Sequence, residues 1–172
     1  AAAIDHFMMD DAVVRPFDTP DAVWNWEGDG VVATQVPAIL RPLELAEQHC
    51  FAAIHHPTAQ AILVATYAAE KAAVEAAETM EIELDAADSV EMLLKDIDVS
   101  LAAGGPARLS EALRFTIESD APHAALVLVR TLESFGAGAE ALRETLTSHY
   151  KMVRYHAAFA LARGGDYGAD VV

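Results

Sequence analysis

Apolar residues recur three and four positions apart through most of the chain and alternate over one short stretch near its start. Leu43, Ala46, Cys50, Ala53 and Ile54 predict a helix over 43–55. His56-Pro57-Thr58 breaks it, and Pro57 suits the first turn of the next helix. That helix carries Ala61, Val64, Ala65, Ala68, Ala72 and Ala76, and two helices joined so closely should lie antiparallel. Ser89 stands as an N-cap for a helix over 90–103 with Met92, Leu93, Ile97 and Leu101 inward, ended by Gly104-Gly105-Pro106. Pro106 and Pro122 open two more helices, and Gly136-Ala137-Gly138 separates these from the C-terminal part of the chain. Ser148 is placed to cap a last helix that Gly164-Gly165 stops.

The alternating stretch is Val23-Trp24-Asn25-Trp26, then turn residues Glu27-Gly28-Asp29-Gly30, then the β-branched run 31–36. It predicts a small hairpin whose tryptophan face packs on a helix, since an isolated hairpin is marginal in water. Residues 4–14 suggest a short helix, and 79–88 an acidic connector without a helical stripe.

The strongest pattern is a repeat. Glu111-Ala112-Leu113-Arg114-Phe115-Thr116-Ile117-Glu118-Ser119 returns 29 positions later as Glu140-Ala141-Leu142-Arg143-Glu144-Thr145-Leu146-Thr147-Ser148. The same offset sets Leu128 on Ala157, Leu132 on Leu161 and Gly136 on Gly165. Chance similarity of two amphipathic helices explains apolar matches, but not Glu, Arg, Thr and Ser in register. Two helices per period with a terminal glycine is the signature of a stacked array. Leu113 and Leu142 should then occupy equivalent buried positions.

Met152-Val153-Arg154-Tyr155-His156-Ala157-Ala158-Phe159-Ala160-Leu161-Ala162 resembles the V-R-x-x-A-A-x-A-L helix of HEAT-like repeats, in the short variety of phycobilin lyases. The first copy departs from it, with His123-Ala124-Ala125 where Met152-Val153-Arg154 stands in the second. The junction from Ala52 to Pro57, with Tyr67 beyond, loosely resembles a tetratricopeptide-repeat junction. These resemblances imply a scaffold architecture and carry little about activity. The fold expected is all-α: an α-solenoid of antiparallel helix pairs preceded by the hairpin. Its divisions are 1–36, an N-terminal segment with the short helix and hairpin; 37–80, a helical pair; 81–105, the acidic connector and helix; and 106–172, the repeats. Ala1-Ala2-Ala3 and residues 166–172 read as a helix continuing in and a repeat opening out, as in a segment of a longer protein.

Composition narrows the partners. Alanine-rich helices are favoured intrinsically and let neighbours approach closely. A net charge of −16 argues against phosphate-backbone recognition and against anionic membrane surfaces, leaving protein partners, cations or plain solubility. Cys50, the one cysteine, excludes an internal disulfide and reads as a buried small hydrophobe. No stretch has the length and apolarity of a membrane helix, and the compartment is not encoded in what is visible.

Chemistry is sparse. His49 and His56, like His149 and His156, are two helical turns apart, and His55-His56 diverge by about 100°, so no shared metal is expected. No phosphate loop, dinucleotide fingerprint, nucleophile elbow or calcium loop occurs, and no cofactor is expected. Arg114 and Arg143 recur at the repeat period, and with Arg154 they are the candidate partner-binding residues; pairing with nearby glutamates is the simpler alternative. The reading is a non-enzymatic protein-binding scaffold for a basic or amphipathic segment, without nucleic acid or membrane contact. The alternative is a HEAT-like accessory enzyme of the chromophore-lyase kind.

Overall fold

A computed structural model gives the fold. It describes residues 20–27 and 30–37 as paired backbone, and residues 56–79 and 87–165 as the helical body. The helix expected over 43–55, with Cys50, the short one over 4–14, and the segment 166–172 lie outside the described residues.

Strands β1 (Pro20–Glu27) and β2 (Gly30–Pro37) pair antiparallel, with Trp24 opposite Ala33 and Trp26 opposite Val31. The packing expected of the two tryptophans is not among the described contacts.

Helix α1 (Pro57–Thr79) begins where Pro57 has no backbone donor to lose. Ala59 and Gln60 N–H donate back to the His56 carbonyl at 3.1 and 3.3 Å. It is buried along two rows: Ala61, Val64, Ala65 and Ala68, expected from the sequence, and Thr66, Glu70 and Val74, which the apolar stripe does not include. Thr66 satisfies its hydroxyl within the helix by donating to the Ile62 carbonyl at 2.8 Å. Burial on two sides marks α1 as interior to the body rather than a surface helix.

Helix α2 (Ala87–Glu118) is bent at Gly105, whose φ of 68° and ψ of 167° are open to glycine, with Pro106 next to it. Two arms result. The first buries Ile97 and Leu101; the second buries Leu109, Ala112, Leu113 and Thr116. The helix starts before Ser89, so Ser89 lies inside it and is not its cap. Residues 87 and 88, placed by the sequence in the connector, are helical.

Helix α3 (Pro122–Phe135) again has proline in its first turn. It ends on Gly136 at φ 60°, with the N–H groups of Gly136 and Ala137 donating to the Glu133 and Leu132 carbonyls at 2.9 and 3.3 Å. Helix α4 (Ala139–Thr145) is only seven residues long. Helix α5 (Lys151–Arg163) is capped at Tyr150, not at Ser148 as expected, and without a side-chain cap. Ser148 comes too early in the chain. Its hydroxyl accepts from the Tyr150 N–H at 3.3 Å, and its carbonyl accepts from the Arg154 guanidinium at 2.7 Å.

The helical body is all-α. α3 lies at its centre against α1, α2 and α5, while α5 packs on α3 and α4. One apolar core runs from Val64 through Leu113, Leu128 and Leu132 to Leu161. Ala112 and Ala141, Leu113 and Leu142, Thr116 and Thr145, Ala124 and Val153, Leu128 and Ala157, and Leu132 and Leu161 are buried at both members of each pair.

Candidate interaction surface

The three arginines singled out from the sequence stand on three different helices. Arg114, on the second arm of α2, holds Glu144 of α4 with two bonds, Nε to Oε2 at 2.5 Å and Nη2 to Oε1 at 3.2 Å. That hydrogen bonding raises the Arg114 pKa and holds the Glu144 carboxyl below its ordinary range. Arg143 is exposed one residue before Glu144. Arg154 is half-buried and spends its guanidinium on the Ser148 carbonyl, closing the α4–α5 turn. Arg114 therefore fastens one helix of this chain to another, and Arg154 fastens α5 to the turn before it.

A second ion pair spans the same sequence distance as Arg114–Glu144: Arg163 of α5 reaches Glu133 of α3 at 2.6 Å. Each links a helix of the first unit to its counterpart in the second.

The turns before α3 and α5 also meet. Asp120 adopts a left-handed φ of 54°, a conformation that aspartate tolerates better than most side chains. Its carboxylate lies 3.6 Å from His149 Nε2. Burial raises the pKa of the half-buried Tyr150 phenol, and the charge of Asp120 and a hydrogen bond to it act in the same direction. The phenol therefore stays protonated and tethers the two turns.

Two hollows border the C-terminal half of α3. A groove of about 580 Å³ runs between α3 and α5, lined by Arg130, Glu133, Ser134, Ala137, Ala139, Leu142, Ala160, Leu161 and Arg163, among others. A second, of about 370 Å³, lies between α3, α1 and α2, lined by Lys71, Glu75, Asp98, Leu101, Val127, Arg130, Ser134 and Phe135, among others. Arg130 and Ser134 border both. The cations of the grooves are matched: Arg130 with Glu75 at 3.0 Å, Lys71 with Asp98, and Arg163 with Glu133. The Thr131 and Ser134 hydroxyls donate back to their own helix at 2.8 and 2.7 Å. Such walls, apolar at the floor and ionic at the rim, suit holding an elongated segment.

Sequence reasoning missed Glu70. Its side chain is fully buried on α1, and neither carboxylate oxygen has a hydrogen-bond partner. Burial raises its pKa well above the ordinary glutamate value, so the folded protein favours the neutral acid. The four-residue row Thr66–Glu70–Val74 was the available signal, but the apolar stripe on the opposite face was enough to define a one-faced helix.

Among the described residues, no group of three or more His, Cys, Asp or Glu side chains is placed to share a metal ion. None of their helices is long and apolar enough to cross a membrane. Compared with protein-family models, curated proteins and solved structures, the chain matches none.

Proposed function

We propose that the chain is a protein-binding scaffold module, built as a HEAT-like α-solenoid with the β1–β2 ribbon ahead of the stack. Its working surface is the pair of grooves flanking α3. The observation that carries this reading is their shared border at Arg130 and Ser134, which makes one extended trough out of two shallow ones. Extended troughs bind through many side chains and favour a helical or extended peptide over a compact metabolite.

The partner is a basic or amphipathic helical segment. Its apolar face lies on Ala137 and Ala139, above the buried Leu142, Ala160 and Leu161, and its cations exchange with those now held by Glu75, Asp98 and Glu133 at the rim. The chain's charge of −16 steers such a segment in and turns nucleic acid away. Arg114 and Arg154 serve the scaffold in this reading, holding unit to unit and turn to helix, while Arg143 stays at the edge.

The test is fluorescence anisotropy with a labelled model peptide, a lysine-flanked leucine helix. Binding should weaken steeply between about 0.05 and 0.5 M salt, where the Debye length shrinks to a few ångströms. Ser134→Trp, at an exposed position bordering both grooves, should abolish it without altering the circular dichroism. Binding that is indifferent to both salt and Ser134→Trp sinks the proposal.

A further inference from the structure

α5 has a surface that the trough touches only at Arg163. Lys151, Tyr155, Phe159 and Arg163 stand four residues apart and so form one row, with Met152 beside it. Tyr155 is 63 % exposed, Phe159 49 % and Met152 56 %, on a helix whose opposite face buries Val153, Ala157 and Leu161 in the core. Large apolar side chains kept in water along one line of a packed helix make a patch, not scattered exposure. They are also residue types enriched at protein interfaces.

Charge decides what fits there. Helix α5 carries Lys151, Arg154 and Arg163 and no Asp or Glu, within a chain of net charge −16. The row therefore begins with a cation, passes two aromatic rings and ends with a cation. Arg163 has its guanidinium 5.9 Å from the Phe159 ring centroid and, although bonded to Glu133, keeps a side chain that is 67 % exposed. A guanidinium has five N–H donors, so the bond to Glu133 leaves others for an incoming carboxylate.

We propose that the outer face of α5 docks an acidic amphipathic helix from a protein partner. The aromatic row takes its apolar stripe, and Lys151 and Arg163, about 18 Å apart along the helix axis, take carboxylates near its two ends. The site meets the trough only at Arg163 and is opposite to it in charge preference, so Tyr155, Phe159 and Lys151 test it independently of the trough. A long polyanion or an anionic membrane is disfavoured because the cationic strip is one helix wide on an otherwise acidic molecule. Beyond a Debye length of about 8 Å it meets net repulsion.

The experiment uses the full chain and two labelled peptides with the same leucine stripe, one flanked by glutamates and one by lysines. The glutamate peptide should bind saturably, and Tyr155→Ala/Phe159→Ala should weaken it about tenfold or more. Lys151→Glu should lower affinity for the glutamate peptide, while Ser134→Trp leaves it unchanged. Because these side chains are exposed, an unchanged melting curve checks that each variant is folded. The proposal is overturned if the glutamate peptide fails to bind, or if Tyr155→Ala/Phe159→Ala binds it as tightly. It is also overturned if the wild-type chain self-associates through this row in sedimentation, or if single-stranded oligonucleotides or phosphatidylserine vesicles compete there at physiological salt.

Discussion

In the first unit of the internal repeat the leading helix runs over 106–118, whereas in the second α4 stops after seven residues, although Glu-Ala-Leu-Arg holds the same place in both. Two substitutions account for the difference. Where the first unit has the buried Leu109, the second has Gly138 at φ 78°, which turns the chain rather than extending the helix. Where the first has Glu118, the second has Thr147, whose hydroxyl donates to the Glu144 carbonyl at 2.8 Å. The backbone N–H groups of 146, 147 and 148 then reach only three residues back, and the helix tightens and ends. The second helices differ in surroundings instead. α3 is covered by α1 and α5, so Leu126 is half-buried and Arg130 pairs with Glu75; their counterparts on α5, Tyr155 and Phe159, face water. The neighbours of each helix in the body, rather than the shared pattern, set how much of it is buried.

The largest effect that can break this comparison comes from the matched pair Leu132 and Leu161. Leu132→Ala, at the centre, should cost about 3–5 kcal/mol in urea denaturation, and Leu161→Ala, on the outer helix, about 2–3 kcal/mol. Equal losses mean that α5 is as enclosed as α3.

Glycine separates the units next. A Cβ at Gly138 falls 2.7 Å from Leu132 Cδ2, on a backbone already at positive φ, so Gly138→Ala should destabilise by about 2–3 kcal/mol. Gly136→Ala, also at positive φ but in open space, should cost only the conformational part, about 1–2 kcal/mol. The same cost at both shows that Leu132 yields freely.

Glu70 sharpens the contrast between α1 and the repeated units, whose charges are mostly at the surface. With its pKa raised by burial, the folded protein keeps a proton that the unfolded chain releases. The stability this confers is complete in acid, and it is lost as the pH climbs from the ordinary glutamate range toward the raised value. Glu70→Leu should flatten that decline and add about 1–3 kcal/mol at neutral pH, read from denaturation midpoints across pH. A variant as pH-sensitive as the wild type would show the decline arises elsewhere.

The smallest effect belongs to Arg114–Glu144. Both side chains are well exposed, and surface pairs stabilise little. Arg114→Ala should leave the urea midpoint within error at high salt, yet carboxyl NMR should show the Glu144 titration moving up to the ordinary range. A midpoint that falls clearly at high salt makes the pair a structural clamp.

By itself the sequence determined many of the helices and inward residues where one face is apolar, but not all: Met92, expected inward, is 67 % exposed on the first arm of α2. The 3,4 spacing of Val64, Ala65 and Ala68, and of Leu128 and Leu132, is fixed by the geometry of a helix against one core. It also marked Pro57, Pro122 and Gly136 as helix boundaries, because their backbone limits act locally. Only the tertiary structure decided the rest. Which arginines are already engaged depends on groups distant in sequence, as Arg114 shows by meeting Glu144 of another helix. Glu70 is the extreme case. An exposed glutamate in an alanine-rich helix is ordinary, and a second buried face, set by what packs around α1, is what takes it out of solvent without a partner.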